Sequence, residues 1–275
     1  MGNISRMLTT EVSPGELTAL DRFIFESWGY FVIPAVLSEE EAAECYAACE
    51  RMHAGRDRSF GQLGRGYELE PALERLIDHP AVLPKVRGLY GDRFVLQACW
   101  NTMQPARSGV GGWHQDGSSA YDYKQLGYPV PLIQLRASFL LTDQSEPGTG
   151  NMELIPGSHR AQVPLPEEVR QERGEVPIGH VICAPAGSVL VFHNAVWHRT
   201  YTHNGDRDRY TAHYIYSPPW VRSADRFGNS PDFLERTTPL RRALMGEFAR
   251  PDAPYGASYE APPFAESGAG ASRGS

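Results

Sequence analysis

The hydrophobic positions in the first third of the chain recur at helical spacing. The run SPGE at 13–16 has the serine, proline and glutamate of a helix N-terminus, and apolar side chains follow at Leu17, Leu20, Phe23 and Ile24. This pattern predicts a first helix that begins at the proline of the SPGE run.

The next segments alternate between strand and helix patterns. The apolar run at 29–37 predicts a short buried strand, and the SEEE run at 38–41 predicts the N-cap and acidic first turn of a second helix. A third helix is predicted over 72–90, interrupted near Pro80 and ended by Gly91.

From Arg93 onward the period of the pattern changes to two. Runs of β-branched and aromatic residues, separated by glycine, proline and asparagine, predict strands at 93–104, 131–143, 187–198 and 209–217. Strands joined by loops, without alternating helices, predict an antiparallel barrel or jelly roll.

The chain has no internal repeat and no linker that would divide it. We therefore expect one domain over about 1–250, with helices over about 14–92 and a β core over about 93–220. The segment 251–275 is rich in Pro, Gly, Ala and Ser and is expected to be a flexible tail.

Composition and charge narrow the class of protein. The 275 residues are 41% hydrophobic and carry a net charge of −7, which argues against nucleic-acid binding because that needs a basic face. The sequence shows no signal peptide pattern, no membrane-spanning run and no disulfide framework. We expect a cytoplasmic protein without a membrane partner, either a monomer or a homodimer.

Candidate chemistry first appears in GGWHQDG at 111–117. Residues i and i+2 of a strand point to the same side, so His114 and Asp116 can bind one ion together while Gln115 points away. Two histidines and one carboxylate are the ligands of non-haem iron(II) oxygenases. A surface turn explains an isolated H-x-D triplet equally well, so the site needs a second histidine from a distant strand.

His193 and His198 are the candidates for that histidine, and either could instead be a core histidine bonded to the backbone. A 2-oxo acid on the iron would need a cation for its far carboxylate, which the guanidinium fork of an arginine supplies. Arg209 opens the last predicted strand and can lie beside the strand of His198. Arg207 is the competitor, but it lies in the preceding turn and is expected to face solvent.

Three motifs in order resemble the phytanoyl-CoA dioxygenase family of Fe(II)- and 2-oxoglutarate-dependent oxygenases. They are WHQD at 113–116, GNMELIPGSH at 150–159 and the run from His198 to Arg209. The resemblance extends from about Phe25 to Tyr216. It implies a mainly β protein with a double-stranded β-helix core, of the jelly-roll and cupin-like type, and flanking N-terminal helices.

The resemblance also implies the roles of individual residues. Iron(II) would be held by His114, Asp116 and His198, and 2-oxoglutarate by Arg209, because the family's interval of eleven positions joins His198, and not His193, to Arg209. The implied reaction is hydroxylation, or another oxidation, of an unactivated C–H bond in a small-molecule metabolite. It consumes O2 and releases succinate and CO2.

Further 2-oxoglutarate contacts are implied by a resemblance to the family's ectoine hydroxylases at Gln97 and Asn101. Both residues are placed on one face of the strand at 93–104, as a shared cavity wall requires. Thr200 stands where a hydroxyl would contact the cosubstrate. A cross-strand hydrogen bond is the alternative role of each. The sequence departs from the family pattern at His203, where an asparagine is usual.

Arg136 is the residue most informative about the substrate. Gln134, Arg136 and Ser138 share one face of the strand at 131–143, and apolar residues share the other. If the apolar face packs on the helices, Arg136 is buried in the barrel and needs an anion. It could bind an acidic group of the substrate or assist with 2-oxoglutarate, and an internal ion pair is an equal alternative.

Aromatic residues around the iron motif are further candidates for substrate contacts. Trp113 and Tyr121 are predicted to touch the substrate, and Tyr121, Tyr123 and Tyr128 form either an aromatic lid or a plain surface loop. Two other functions stay open, namely a metal-binding jelly-roll protein without turnover and a cupin-like metalloenzyme that does not use 2-oxoglutarate. Arg209 weighs against both, since neither would need a cation there.

Overall fold

Two antiparallel sheets with a shared apolar interior form the centre of the computed structural model of this chain. The structure describes residues 10–57, 61–117, 123–127, 129–247 and 264. The larger sheet has the strand order β1-β7-β4-β9-β3-β2, and the smaller sheet has the order β6-β5-β8. The strands are β1 Tyr30–Ile33, β2 Gly61–Gly64, β3 Val95–Gln104, β4 Leu135–Leu140, β5 Met152–Leu154, β6 His180–Val181, β7 Val189–His193, β8 His198–Thr200 and β9 Arg209–Ser217.

Most of the helices precede β3 in the chain or follow β9. Those in α conformation are α1 Ala19–Trp28, α2 Glu39–His53, α3 Gly66–Leu69, α4 Pro71–Glu74, α5 Leu83–Tyr90, α6 Glu167–Gln171, α7 Pro231–Arg236 and α8 Pro239–Leu244. Short 3₁₀ turns lie at Arg75–Asp78, Tyr123–Leu126 and Ser158–Arg160. In the part of the chain that the structure describes, no helix is both long and apolar enough to span a bilayer.

The larger sheet has one apolar face toward the helices and one face toward the sheet interior. On β4, Leu135, Ala137 and Phe139 belong to the core beneath the helices. Arg136 and Ser138, which alternate with them, point into the barrel, as the alternation of the sequence predicts. The strand pattern therefore determines which side chains can meet the candidate metal ligands.

The first helix begins later than the sequence predicts. Thr18 is the N-cap, and it exchanges hydrogen bonds with Asp21 in a capping box. The prediction of a start at the SPGE run was wrong, because Gly15 has φ +103°, a left-handed conformation that ends any helical run. A complete capping box further along the chain then defines the helix.

The other helix predictions fared differently. Ser38 and Glu41 form the predicted capping box of α2, so this start is confirmed. The predicted third helix is broken into α4, a 3₁₀ turn and α5, and it ends at Gly91 with φ +79°. The helices α3, α6, α7 and α8 and the short strands β2, β5 and β6 were not predicted, since each has too few residues to show a period.

Phe264 is the one described residue beyond position 247. Its ring stacks on Phe94 at a centroid distance of 5.4 Å, and the guanidinium of Arg87 lies 4.7 Å from its ring centre. The rest of the expected tail at 251–275 lies outside the described residues. The proposed division of the chain into a domain and a tail stays a prediction.

Candidate metal centre

His114 and His198 lie opposite each other on two antiparallel segments. The N–H of each residue donates to the carbonyl oxygen of the other, with both distances 3.0 Å. Their ring centroids are 4.2 Å apart. The backbone therefore places the two imidazoles side by side, although the residues are distant in sequence.

Asp116 completes a cluster with these two histidines. The Oδ2 atom of Asp116 lies 3.7 Å from Nε2 of His198. One potential ligand atom from each of the three residues falls within 4.8 Å of the others. The structure thus brings together the three residues that the sequence selected as metal ligands.

The orientation of both rings suits a metal ion. Nδ1 of His114 lies 3.0 Å from the carbonyl of Gly112, and Nδ1 of His198 lies 2.9 Å from the carbonyl of Val196. Because a carbonyl can only accept, each Nδ1 carries the proton and each Nε2 keeps a lone pair for a metal. Nε2 of His198 and Oδ2 of Asp116 are buried without a hydrogen-bond partner, so the residues fit a divalent cation.

The charge states of the cluster also suit metal binding. Burial raises the pKa of Asp116, but Arg136 and the two histidines outweigh it, so this pKa lies below its usual value. Burial lowers the pKa of His198 to about 3, with a contribution from His114. An ionised carboxylate and a neutral imidazole are the forms that coordinate a metal.

Arg136 forms an ion pair with Asp116. Its Nη2 donates to Oδ1 of Asp116 at 2.7 Å, which leaves Oδ2 as the oxygen that faces the histidines. The internal ion pair that the sequence left open is therefore present. The Nε atom of Arg136 is buried and has no hydrogen-bond partner among the described residues.

A cavity of about 490 Å³ opens beside the cluster. Its walls include the histidines of the cluster, two arginines and a glycine-rich edge next to Thr200. A Cβ at Gly111 would lie 2.5 Å from Oγ1 of Thr200, so this close approach of two segments requires glycine. The lining residues include Gln104, Gly111, His114, Arg136, His198, Thr200, Arg209 and His213.

Arg209 is a buried cation in the wall of this cavity. Only 2% of the residue is exposed. Its Nε donates to the carbonyl of Gly150 and its Nη1 to Oγ1 of Thr211, each at 2.8 Å. Burial lowers its pKa to about 10. Among the described residues, no carboxylate forms an ion pair with it, so the site holds an uncompensated positive charge.

The two alternatives to His198 and Arg209 lie elsewhere. The ring of His193 packs against Phe25 and His159 in the core, and its Nδ1 accepts from the N–H of Ala195. Arg207 is exposed and stacks on Tyr46, with the guanidinium carbon 4.7 Å from the ring centre. Neither residue lines the cavity.

The expected contacts of Gln97 and Asn101 with the cavity are not met. The register of β3 shifts between Leu96 and Ala98, so counting alternate positions across this bulge gives the wrong face. Asn101 points toward the helices, where Sγ of Cys49 lies 3.8 Å from its Oδ1. Gln97 bonds instead to Gln134 and to the carbonyl of Arg222, each at 2.9 Å.

The candidate substrate contacts have different outcomes. Gln134 donates to Gln97 and does not line the cavity, and Trp113 packs with Ile155 and Val176 in a separate apolar cluster. The guanidinium carbon of Arg199 lies 4.4 Å from the centre of the Trp113 ring. These contacts give Trp113 a packing role. Tyr121 and Tyr128 lie outside the described residues, and so does the side chain of Tyr123.

Gln104 and His213 are two of the cavity-lining residues that the sequence did not predict. Gln104 pairs with Arg209 in the register of β3 and β9, and its Oε1 is buried without a partner. His213 lies four residues after Arg209, on the same face of β9, and its Nδ1 is 2.7 Å from Oγ of Ser138. Counting outward from Arg209 with period two would have found His213, whereas finding Gln104 required the strand register.

Known proteins match this chain in sequence and in structure. The family model "Phytanoyl-CoA dioxygenase (PhyH)" matches residues 25–211. An ectoine dioxygenase from Nocardia farcinica is 25% identical over 219 residues, which cover 67% of this chain and 72% of the relative.

Solved structures show the same fold. HygX from Streptomyces hygroscopicus, with nickel and 2-oxoglutarate bound, superposes with a TM-score of 0.62 at 22% identity, covering 76% of this chain and 90% of that chain. The 2-oxoglutarate-dependent carbocyclase SnoK from nogalamycin biosynthesis gives 0.58 at 23% identity, covering 81% and 91%. The predicted jelly-roll core is thereby confirmed.

Proposed function

Because the chain belongs to the phytanoyl-CoA dioxygenase family and is an iron- and 2-oxoglutarate-dependent dioxygenase, we propose that His114, Asp116 and His198 hold its iron(II). The observation that supports this most strongly is the convergence of their ligand atoms within 4.8 Å, beside a cavity that holds an unpaired arginine. Two histidines and one carboxylate leave further coordination positions open.

Neighbouring groups orient each of the three proposed ligands. Each imidazole is fixed by its Nδ1–H bond to a neighbouring carbonyl, which orients Nε2 toward the metal position. Arg136 donates to Oδ1 of Asp116, which would leave Oδ2 available to hold the metal. Bound iron(II) supplies an O2-dependent oxidation that is coupled to the conversion of 2-oxoglutarate to succinate and CO2.

Arg209 is proposed to bind the far carboxylate of 2-oxoglutarate. An anion there would compensate a guanidinium that is buried and has only neutral partners, Gly150 and Thr211. Thr200 lines the same cavity and offers a hydroxyl to the cosubstrate. A metal-binding protein without turnover, or a cupin-like enzyme that does not use a 2-oxo acid, would have no need for this charge.

The prime substrate is proposed to be a small-molecule metabolite, oxidised at an unactivated C–H bond, most simply by hydroxylation. A cavity of about 490 Å³ has the size of a small-molecule site. The relatives support the same class, since one is named an ectoine dioxygenase and HygX was also crystallised with hygromycin B. Asp116 and His198 are buried, so the fold shields these two proposed ligands from solvent.

The release of labelled CO2 from 2-oxo-[1-¹⁴C]glutarate tests this function. We expect iron-dependent release above the protein-free blank, and a loss of about 100-fold or more in Asp116→Asn, which removes the charge and retains the shape of the ligand. The matched control is Asp92→Asn, a change at an exposed carboxylate that pairs with Arg87. The absence of iron-dependent release, or full release by Asp116→Asn, would overturn the proposal.

A further inference from the structure

The charged side chains in the cavity wall are unbalanced. Among the described residues that line it, Arg136 and Arg209 are cations and none is a carboxylate. Asp116 lies next to the wall and is the carboxylate in contact with Arg136. The two cations therefore share one anion from the protein.

The histidines that line the cavity serve as neutral hydrogen-bonding groups. Nδ1 of His114 and Nδ1 of His198 each donate to a backbone carbonyl, which leaves a lone pair on each Nε2 for the metal. Burial lowers the pKa of His213 well below its usual value, and the nearby Arg136 and Arg209 lower it further. His213 is therefore neutral, and its ring pairs with the hydroxyl of Ser138. The positive charge of the wall resides on the two arginines.

Loading the site with its metal and cosubstrate does not remove the imbalance. The two positive charges of iron(II) are cancelled by the two negative charges of 2-oxoglutarate. Asp116 then offsets one of the two arginines, and one positive charge remains in the cavity. Leaving a charge in a partly buried site without a counter-ion is unfavourable, so the loaded cavity favours one more anion.

The remaining positive charge of the loaded cavity lies on Arg136, where a further anion could bind. Arg209 is the partner of the cosubstrate, whereas Arg136 donates to Asp116 through Nη2, and among the described residues neither its Nη1 nor its buried Nε has a hydrogen-bond partner. A carboxylate that also coordinates a dication shares its negative charge with the metal. Arg136 is thus only partly compensated once the metal is bound, and it lies in the wall of the cavity.

We propose that the prime substrate carries a single carboxylate, and that Arg136 binds it in the cavity beside the iron site. The inference rests on the proposed function, because the balance of charge assumes that iron and 2-oxoglutarate are bound. A carboxylate matches both the charge of one and the bidentate geometry of a guanidinium. Because Arg136 contacts a metal ligand directly, the oxidised carbon lies within a few bonds of this carboxylate.

The test compares two probes that differ in charge but hardly in shape, hexanoate and hexanamide. The full-length protein is loaded with Co(II) and saturating 2-oxoglutarate, and the paramagnetic relaxation of the probe protons is measured by NMR. We expect hexanoate to bind at least about ten-fold more tightly than hexanamide, as a charge-assisted hydrogen bond predicts. Its C2 protons are expected to relax faster than its methyl protons, because the carboxylate lies next to the metal.

Variants of the protein assign the preference to Arg136. Arg136→Gln is expected to abolish the difference between the probes, and Arg136→Lys to retain part of it. The matched control is Arg170→Gln, at an exposed arginine paired with Glu167, which should leave the preference for hexanoate over hexanamide unchanged. Equal binding of both probes, no binding of either, or an unchanged preference in Arg136→Gln overturns the inference.

Two further readouts separate this inference from the proposed function. If Arg136→Gln weakens 2-oxoglutarate binding and leaves the probe preference intact, Arg136 serves the cosubstrate and the inference is wrong. If the wild-type protein fails to bind Fe(II) and 2-oxoglutarate together, the proposed function fails. If it binds both and shows no preference for hexanoate, only the substrate inference fails.

Discussion

His114 and His198 bond to each other through the backbone in both directions, with each N–H 3.0 Å from the other's carbonyl oxygen. The backbone therefore places the two side chains next to each other, and the Nδ1 bonds to the carbonyls of Gly112 and Val196 orient the rings. Asp116 is tied to the same region, since its N–H donates to the carbonyl of Asn194 at 2.9 Å. A metal ion that enters this cluster meets a preorganised set of ligands.

Metal binding is expected to stabilise the protein. At a metal concentration of 100 times Kd, linkage gives about 2.7 kcal/mol, which raises the Tm by several degrees. Thermal unfolding with and without Co(II) measures this shift. His198→Ala is expected to lose the shift, because it removes one of the ligands. A metal-dependent Tm rise of wild-type size in His198→Ala would show that the metal binds elsewhere.

Replacement of Arg209 is expected to separate cosubstrate binding from metal binding. Arg209→Ala should raise the Kd for 2-oxoglutarate by about 100-fold or more, since a bidentate pair in a buried site is lost. The Kd for Co(II) should change little, because Arg209 is not part of the His114–Asp116–His198 cluster. Calorimetric titrations measure both constants. Arg209→Lys keeps the charge but lacks the guanidinium fork. Its Kd for 2-oxoglutarate is expected to lie between those of the wild type and Arg209→Ala.

Acid is expected to destabilise the fold through His159. Burial lowers its pKa to about 4 from an ordinary value of 6.5. The unfolded chain therefore takes up this proton first, and stability falls as the pH drops below about 6.5. Between pH 7 and 5, where most carboxylates stay ionised, the loss is about 2 kcal/mol for one such histidine.

Urea unfolding at pH 7 and pH 5 measures the contribution of His159. The variant His159→Gln can still donate to the carbonyl of Glu26, which lies 3.1 Å from Nε2 of His159. Its loss of stability between the two pH values should be smaller than that of the wild type by about 2 kcal/mol. An identical pH dependence would mean that His159 is protonated in the folded state.

The ion pair of Arg199 with Glu153 is expected to be important for stability. Arg199 is fully buried, donates to Glu153 at 2.5 Å, and also bonds to the carbonyls of Glu172 and Gly174. Arg199→Met would leave Glu153 buried without its partner, at a cost of about 3–5 kcal/mol. Chemical unfolding measures this loss, and the double variant with Glu153→Gln should recover part of it. A fully stable Arg199→Met protein would contradict this role.

The sequence was informative where a local pattern determines the structure. The period-two alternation of β4 assigned Arg136 and Ser138 to the interior, and the capping box at Ser38 and Glu41 marked the start of α2. The spacing of His114, Asp116 and His198 identified residues that the fold brings together. Each of these features follows from the geometry of a single strand or helix, or from a family motif.

The missed features depend on tertiary structure. The bulge after Leu96 reverses the face of β3, and no residue type near it signals the change. The position of Trp113 beside Arg199 depends on packing against residues distant in sequence. The ion pair of Arg136 with Asp116 was one of three roles left open for Arg136, since only the fold determines which anion lies nearest.

An anaerobic optical titration with Fe(II) and 2-oxoglutarate tests whether His114, Asp116, His198 and Arg209 form the binding site. We expect a weak visible charge-transfer band of the bidentate complex in the wild-type protein. The band should be absent in His198→Ala and should require far more 2-oxoglutarate in Arg209→Ala. The exposed variant Arg170→Gln should behave as the wild type. No band in the wild-type protein, or an unaltered band in both site variants, would show that these residues do not form the site.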